Sequence, residues 1–371
     1  MIDPKGDRGS FDRLVRLATK IDPKVKDRFR FFSLSEPGES ASYNPLKHGS
    51  AVEKKDRILE ALNWSEPFYQ AMAGSFLSAL LSAVEITSTD IDLDYLEKIL
   101  LQKTIQSDLL RKLVELGKAG NHRASQLFAT LETFFEKRRD DLLGLHAQIS
   151  ILNHSSIRHL LSSTTAGDNQ RIDLHEVLRG NQIAYFQLGT LANADTARRL
   201  GRMIIEDAKS LAHSVYRTTA EAQRKFFPIF IDEFGSFASK EFIEFLKQSR
   251  GAKFGIHMFC QGLEDLDVIS SEFRRQATSN PMTTIALRVV DNETVNEIAS
   301  LAGTVDALEQ SYQVSGEIVS ARTGMGNLRE TKQMRVEHDV LRNLDNLQAV
   351  LIKKSPSQVS GFQIYFPEQL L

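Results

Sequence analysis

The chain has 371 residues, of which 42% are hydrophobic and 25% are charged, and its formal net charge is −2. This length and composition predict a soluble globular protein of about two domains. The near-neutral charge excludes a surface that is basic throughout, so any contact with nucleic acid is expected to be local. No run of about 18 apolar residues occurs, which excludes a membrane-spanning helix in this sequence.

Residues 1–48 combine strand and helix signals. Residues 2–7 are predicted to be the end of a strand that runs into a turn, and a helix follows from about Ser10. A second strand is predicted over residues 28–33 and a loop over residues 36–49, which carries prolines and glycines. We assign residues 1–48 to the first part of an α/β domain.

From about residue 50 the pattern changes. Apolar residues recur at spacings of three and four, and the alternation typical of strands disappears. Helices are predicted around residues 67–86, 91–102 and 104–118, and one further helix carries Leu127, Leu131, Phe134, Leu142 and Leu145. A polar connection follows at residues 164–170. We therefore expect an inserted all-α domain over residues 49–166.

Residues 167–371 alternate strand and helix again. Strands are predicted at residues 182–188, 227–231, 255–260 and 283–289, and helices at residues 195–217, 239–249, 268–278 and 293–302. This alternation predicts a parallel sheet with helices on both faces, completed by the strands of residues 1–48. Loops are predicted at residues 323–326 and 355–361. Cys260, the single cysteine, excludes an internal disulfide and is expected to be a small buried residue.

The strongest chemical signal is the apolar run 227–231, which ends in Asp232 and Glu233. A buried strand would deliver Asp232 to the carboxyl edge of the sheet, where ligands of open α/β sheets bind. In nucleotide hydrolases an Asp at that place holds magnesium, and the next Glu polarises the attacking water. The alternative is an acidic strand end without a functional role.

Two further polar residues follow at spacings that suit a nucleotide-driven motor. Arg250 lies 18 residues after Asp232, and Gln261 lies 29 residues after it. In ring ATPases an arginine neutralises transition-state charge on a neighbour's phosphates, and a polar residue after the adjacent strand senses the γ-phosphate. Taken alone, Arg250 fits a cation at a helix end and Gln261 a strand cap. Together, in this order, they favour a motor core.

The phosphate-binding loop that such a core needs is missing from the sequence. No string of the form GxxxxGK[ST] occurs, and the glycine-bearing segment 316–326 contains no Gly-Lys-Ser/Thr. Lys5, in the turn 3–7, is not expected to replace it, because the turn has too few backbone donors for a triphosphate. We therefore expect no ATP hydrolysis by this chain alone.

The series of motifs resembles the TraD/TraG-type conjugative coupling proteins, the DNA-pumping ATPases of type IV secretion. The matching segments are IDPKGD (2–7), NPL (44–46), IDLHEVLRGNQIAYFQL (172–188), FPIFIDEF (227–234), QSRGAKFGIHMFCQ (248–261), ATSNPMTTIALRVVDNET (277–294) and SARTGMGNLRETKQMRVEHDVLRNL (320–344). The resemblance covers nearly the whole chain. The helical middle matches in character more than in sequence.

The resemblance implies a RecA-like P-loop NTPase sheet, here without its P-loop segment, and an inserted all-α domain. It implies a homo-hexamer around a channel, with ATP and magnesium bound between neighbours. DNA and its relaxase, with other relaxosome proteins, pass to the components of the type IV secretion channel. Asp232 would serve magnesium, Glu233 would be the catalytic carboxylate, Arg250 the trans-acting arginine and Gln261 the sensor. Asp3 would lie near the nucleotide.

The sequence departs from the family at its start. Family members carry transmembrane helices that anchor them to the inner membrane, then a strand and the phosphate loop, before the IDPKGD segment. We therefore expect a cytoplasmic, N-terminally truncated portion of a coupling ATPase, with uncovered apolar edges. Two alternatives stay open: a non-hydrolysing adaptor that docks relaxase or accessory proteins, and a related ring DNA translocase of the FtsK/HerA type.

Overall fold

The computed structural model describes residues 1–154, 156–162, 171–315 and 321–366. The chain divides into two compact units, Met1–Cys260 and Gln261–Leu371. The strands of the first unit are β1 (Ile2–Asp3), β2 (Phe29–Ser33), β3 (Ser42–Tyr43), β4 (Arg171–Ile172), β5 (Ile183–Gln187), β6 (Phe227–Ile231) and β7 (Phe254–Met258). Its helices are α1 (Arg8–Ile21), α2 (Ala51–Ala61), α3 (Pro67–Ile86), α4 (Leu93–Leu101), α5 (Lys103–Lys118), α6 (His122–Lys137), α7 (Leu143–Leu152), α8 (Leu174–Arg179), α9 (Ala194–Thr218) and α10 (Phe242–Ser249).

Within the described residues, five strands of the first unit form one parallel sheet in the order β2-β5-β1-β6-β7. Strands from before and after the helical stretch pair directly, because β1 lies between β5 and β6. The expectation that both α/β stretches contribute to a single sheet is therefore confirmed. The short strands β3 and β4 pair with each other beside it.

The alternation of side chains along β2 and β5 supplies both faces of this sheet with aromatic residues. On one face, Phe11 of α1 stacks on Phe31 at 4.4 Å between ring centroids and meets the edge of Tyr185 at 5.2 Å. On the other face, Phe186 contacts Tyr43 at 5.1 Å. Buried aromatic pairs of this kind hold the helices against the sheet.

The helix α9 is tied to β3 and α2 by a buried polar cluster. The Tyr43 hydroxyl donates a hydrogen bond of 2.8 Å to the Asp207 carboxylate, and Arg57 lies 3.0 Å from the same group. Arg57 is completely buried. Burial raises the pKa of Asp207, and the Arg57 charge opposes that effect. A buried pair of this kind is strongly destabilising to break.

The helical stretch agrees with the prediction in its three central helices and departs from it at one place. The single helix predicted through Leu127 and Leu145 is wrong, because α6 ends at Lys137 and α7 begins at Leu143. Residues 137–141 read Lys-Arg-Arg-Asp-Asp. A run of five charges offers no side chain for the helical core, so the chain turns there instead. α2, which was not predicted, begins with a capping box of Ser50 and Glu53.

The second unit has its own core. Its described elements are α11 (Glu264–Asp267), α12 (Ser271–Ser279), β8 (Thr283–Ala286), α13 (Asn292–Ala302), β9 (Thr304–Ser315), β10 (Ala321–Met334), α14 (His338–Arg342), β11 (Gln348–Lys354) and β12 (Ser357–Gln363). The strands β8, β11 and β12 form an antiparallel sheet, with Val350 and Ile352 packed against Val295 of α13. β9 and β10 form a long antiparallel ribbon.

Several predictions for the later part of the chain are wrong. Residues 323–326 lie inside β10 and not in a loop, and residues 357–361 belong to β12. β8 pairs antiparallel with β11, although it was expected in the parallel sheet. Cys260 is exposed, because β7 ends two residues before it. The polar connection predicted at residues 164–170 lies outside the described residues.

Over the described ranges, no helix is both long and apolar enough to cross a bilayer.

Candidate functional site

Polar residues follow one another along the carboxyl edge of the parallel sheet. Ser33 is paired in register with Gln187, which is paired with Asp3. Ile2 is paired with Ile231, so Asp232 directly follows β6 beside Asp3. Ligands of open α/β sheets bind at this edge. The structure thus brings Asp3 and the Asp232–Glu233 pair together at this edge.

Asp3 is held in place from several directions. It is 1% exposed, and its carboxylate accepts hydrogen bonds from the Tyr185 hydroxyl and, at 2.8 Å, from the backbone N–H of Lys5. Burial, followed by the hydrogen bond to Asp3, raises the pKa of Tyr185 well above its usual value. Tyr185 therefore stays a hydroxyl donor at neutral pH.

The carboxylates of Asp232 and Glu233 reach solvent at the end of β6. Their side chains are 27% and 30% exposed. Glu233 has φ 44° and ψ 52°, in the left-handed region that non-glycine residues rarely adopt, and its N–H donates to the Asp232 carboxylate at 3.0 Å. Such a conformation costs on the order of 1–3 kcal/mol and is concentrated at functional sites. It turns the Glu233 side chain toward the same side as Asp232, since both contact one ammonium group.

That ammonium group belongs to Lys5. Its Nζ lies 3.2 Å from Asp232 Oδ2 and 3.7 Å from Glu233 Oε1. The hydrogen bond to Asp232 raises the pKa of the Lys5 ammonium above its usual value. Two carboxylate oxygens thus converge on a single positive charge.

This donor set fits a magnesium ion. Mg²⁺ is usually held by one or two carboxylates together with waters and substrate phosphates. Asp232 Oδ2 and Glu233 Oε1 are such oxygens, and they already bracket a cation. A group of three or more His, Cys, Asp and Glu ligands suited to a metal is not found within the described ranges. The residues therefore fit a metal shared with phosphates rather than a closed protein cage.

Two members of the edge were missed by the sequence analysis. The Ser33 hydroxyl donates to Gln187 Oε1 at 2.7 Å, and both residues are fully buried. The Gln187 Nε2 donor has no hydrogen-bond partner within the described residues. The signal was present, because both strands are apolar runs that end in a polar residue, as the strand before Asp232 does.

Arg250 lies apart from this cluster. Arg250 is exposed and follows α10, four residues before β7 begins, so it lies at the amino edge of the parallel sheet. Asp232 lies at the opposite, carboxyl edge. Gln261 is the first residue of the second unit and follows the end of β7 by three residues.

The strands beside the acidic pair carry uncovered apolar side chains. Phe230 is stacked on His257 at 4.5 Å between ring centroids and is 37% exposed. Phe226 is 66% exposed and Phe259 is 50% exposed. Aromatic side chains in a central sheet are normally covered. Phe230 of β6, with Phe226 before that strand and Phe259 after β7, thus leaves apolar surface exposed on the first unit.

Comparisons with known proteins agree with this architecture. Residues 227–348 match the family model described as the TraM recognition site of TraD and TraG. No curated protein matches the sequence. The unbound bacterial conjugative coupling protein TrwBdeltaN70 is similar in structure, with a TM-score of 0.61 and 14% identity over 91% of this chain and 74% of that chain.

Nucleotide complexes of the same relative are similar as well. The plasmid coupling protein TrwB with ADP and Mg²⁺ gives a TM-score of 0.58 at 13% identity, over 90% of this chain and 73% of that chain. The complex of TrwB with the non-hydrolysable GTP analogue GDPNP gives a TM-score of 0.56 at 13% identity, over 90% of this chain and 74% of that chain.

At these identities the structural likeness establishes the fold, which is the RecA-like α/β fold predicted from the sequence. The family match covers a region that begins with β6, the strand that Asp232 directly follows. Over residues 227–348 the predicted resemblance to the TraD/TraG-type coupling proteins is thereby confirmed.

Proposed function

We propose that this chain supplies the magnesium-binding and catalytic part of a conjugative coupling ATPase, which delivers DNA and relaxase to a type IV secretion channel. One observation carries the proposal. Asp3 and Asp232 end adjacent parallel strands, and the carboxylates of Asp232 and Glu233 converge on one cation at that edge. TrwB, which has the same fold, was solved with ADP and Mg²⁺.

Each residue of the edge has a role in this proposal. Asp232 holds magnesium, which when bound neutralises charge on the phosphates. Glu233 accepts the proton of the attacking water, and its left-handed backbone directs the carboxylate outward. Asp3 anchors the turn that carries Lys5.

Arg250 and Gln261 are proposed to contact the phosphates of a bound nucleotide. The exposed Arg250 side chain, at the amino edge of the sheet, cannot reach Asp232 within its own subunit, which suits an arginine that acts on the nucleotide of a neighbour. Gln261 senses the γ-phosphate from the end of β7. Both roles require the ring of six subunits that the family resemblance implies.

Hydrolysis also needs a phosphate cradle, and the sequence contains no GxxxxGK[ST] string. The exposed side chain of Phe230, two residues before Asp232, provides an apolar surface near the magnesium edge for the strand and helix of such a cradle. Packing there would bring its backbone N–H groups to the magnesium edge. We therefore expect the chain to turn over ATP only when a cradle segment is supplied.

The partners proposed for the assembled motor are DNA, relaxase and other relaxosome proteins, and the secretion channel. Residues 227–348 match a region described as a TraM recognition site, which supports a relaxosome partner for this part of the chain. The same match supports the adaptor alternative, in which the chain docks these proteins without hydrolysing ATP. The motor needs the Glu233 carboxylate for ATP hydrolysis, whereas the adaptor does not need it.

The test is DNA-stimulated ATP hydrolysis by the chain alone and by the chain fused to an upstream strand–GxxxxGK[ST]–helix segment. The motor proposal expects no turnover by the chain alone and DNA-stimulated turnover by the fusion, lost on Glu233→Gln. Turnover by the chain alone that disappears with the same substitution would show that no added cradle is needed. A fusion that binds relaxosome proteins but never hydrolyses ATP favours the adaptor.

A further inference from the structure

Lys5 was set aside in the sequence analysis because its turn cannot cradle a triphosphate. In the structure it has a different place. Its ammonium is the positive charge on which Asp232 Oδ2 and Glu233 Oε1 converge, at 3.2 Å and 3.7 Å. Two carboxylates side by side repel each other unless a cation lies between them. Lys5 supplies that cation from the adjacent strand β1.

The backbone that carries Lys5 is anchored on both sides. The Lys5 N–H donates to Asp3 Oδ1 at 2.8 Å, and the Pro4 carbonyl accepts hydrogen bonds from Thr190 N–H at 2.7 Å and from its hydroxyl at 2.9 Å. The Asp3 carbonyl accepts one from Leu188 N–H at 2.9 Å. These bonds hold the backbone from which the Lys5 side chain extends.

Close packing after Lys5 restricts the turn further. A Cβ atom added to Gly6 would lie 3.2 Å from Ser35 Oγ, and one added to Gly189 would lie 2.4 Å from the same oxygen. Gly189 also has φ +60°, which disfavours other residues. The backbone of the turn is therefore held, while the Lys5 side chain, 53% exposed, can move.

We propose that Lys5 is a positioning residue that occupies the divalent-cation position between Asp232 and Glu233 and excludes free metal until phosphate draws its ammonium away. This inference rests on the proposed function of the carboxyl edge as a magnesium and nucleotide site. It adds that Lys5 is the cation at this edge when metal is absent. It explains how the two carboxylates keep a common orientation without a metal. It also makes metal binding at this edge depend on the arrival of phosphate, because the ammonium and the metal compete for the same oxygens.

The test measures how tightly the full chain binds Mn²⁺ without nucleotide. Mn²⁺ takes the same oxygen ligands as Mg²⁺, and the electron paramagnetic resonance signal of free Mn²⁺ reports how much remains unbound. Lys5→Met should bind one Mn²⁺ about fivefold or more tightly than the unsubstituted chain, since it loses a competing charge near two carboxylates. Lys5→Arg keeps the charge and should bind as weakly as the unsubstituted chain. Lys20→Met removes an exposed cation of α1 and is the matched control.

The added site must depend on the acidic pair. Asp232→Asn in the Lys5→Met background should abolish the tighter binding, which places the metal at this edge. The inference is overturned if Lys5→Met binds Mn²⁺ no more tightly than the unsubstituted chain, or if the gain survives Asp232→Asn. A tight, Asp232-dependent site in the unsubstituted chain would sink the role of Lys5 while leaving the proposed metal edge intact. Failure of ATP turnover in the fusion would affect the proposed function alone.

Discussion

Tyr185→Phe removes one oxygen atom from the support of Asp3. Tyr185 is completely buried and Asp3 is 1% exposed, so water cannot replace the lost hydroxyl without rearrangement. The phenylalanine ring keeps the contacts with Phe11 and Phe31. A hydrogen bond to a charged group is worth about 1.5–3 kcal/mol. Since the ring leaves no cavity, we expect the free energy of unfolding of the first unit to fall by this amount.

Urea unfolding followed by tryptophan fluorescence measures this loss in the right unit, because the single tryptophan, Trp64, lies within Met1–Cys260. With a slope of about 3 kcal/mol per molar, the midpoint should fall by about 0.5–1 M. Tyr69→Phe, at an exposed position, is the matched control and should change the free energy by less than about 0.5 kcal/mol. A midpoint of Tyr185→Phe equal to that of Tyr69→Phe would refute the argument that the hydroxyl supports Asp3.

Three further predictions concern stability. Arg57→Met leaves the buried Asp207 carboxylate without its cation and should lower the free energy of unfolding by about 3–5 kcal/mol in urea. Burial, followed by the hydrogen bond that the protonated Glu60 carboxyl donates to Glu241, raises the pKa of Glu60 from 4.5 to about 8. Its stabilising contribution is therefore complete below pH 4.5 and lost as the pH rises through 8, so Glu60→Gln should flatten this decline and stabilise the chain at pH 8 by about 1–3 kcal/mol. Gly201→Ala places a Cβ atom 2.3 Å from the Phe237 ring and should cost about 1–3 kcal/mol.

Each of these three predictions has a control variant or a result that would contradict it. Gly144→Ala is the counterpart of Gly201→Ala, because Gly144 lies in α7 with nothing within 4 Å of an added Cβ, and it should be neutral or stabilising. Equal effects of the two alanines would contradict the packing argument. For Arg57→Met, a loss below about 1 kcal/mol would show that the buried pair is dispensable. A pH profile of Glu60→Gln that runs parallel to the original would remove Glu60 as the source of the slope.

The sequence predicted those parts of the fold and site that depend on local pattern. The apolar runs before Ser33, Gln187 and Asp232 are long enough to mark buried strands, and each ends in a polar residue. The parallel arrangement then follows from the alternation with helices. The placement of Asp232 at the carboxyl edge could therefore be predicted.

Other features depend on contacts between distant residues. The position of Lys5 between Asp232 and Glu233 follows from β1 pairing with β6, which joins residues more than 220 positions apart. No local pattern around Lys5 contains that information. The left-handed backbone of Glu233 is likewise a tertiary effect, since glutamate has no intrinsic preference for it.

The ribbon of β9 and β10 was missed for a different reason. Its glycines, Gly324 and Gly326, resemble a turn, and a prediction based on turn residues places a loop there. Strand pairing on both sides of the glycines overrides that tendency: Gly326 is paired to Tyr312, and the register shifts between Arg322 and Gly326. Strand pairing of this kind depends on the partner strand more than on the residue itself.

The measurement that tests the central claim most directly separates nucleotide binding from turnover in the fusion that carries a phosphate cradle. Glu233→Gln should leave the affinity for ATP and Mg²⁺ within about threefold and reduce DNA-stimulated hydrolysis by about a hundredfold or more, as expected for loss of a general base. Glu244→Gln, at an exposed position of α10, should change neither quantity. Hydrolysis by Glu233→Gln at the rate of Glu244→Gln would contradict the assignment of this edge as the catalytic site.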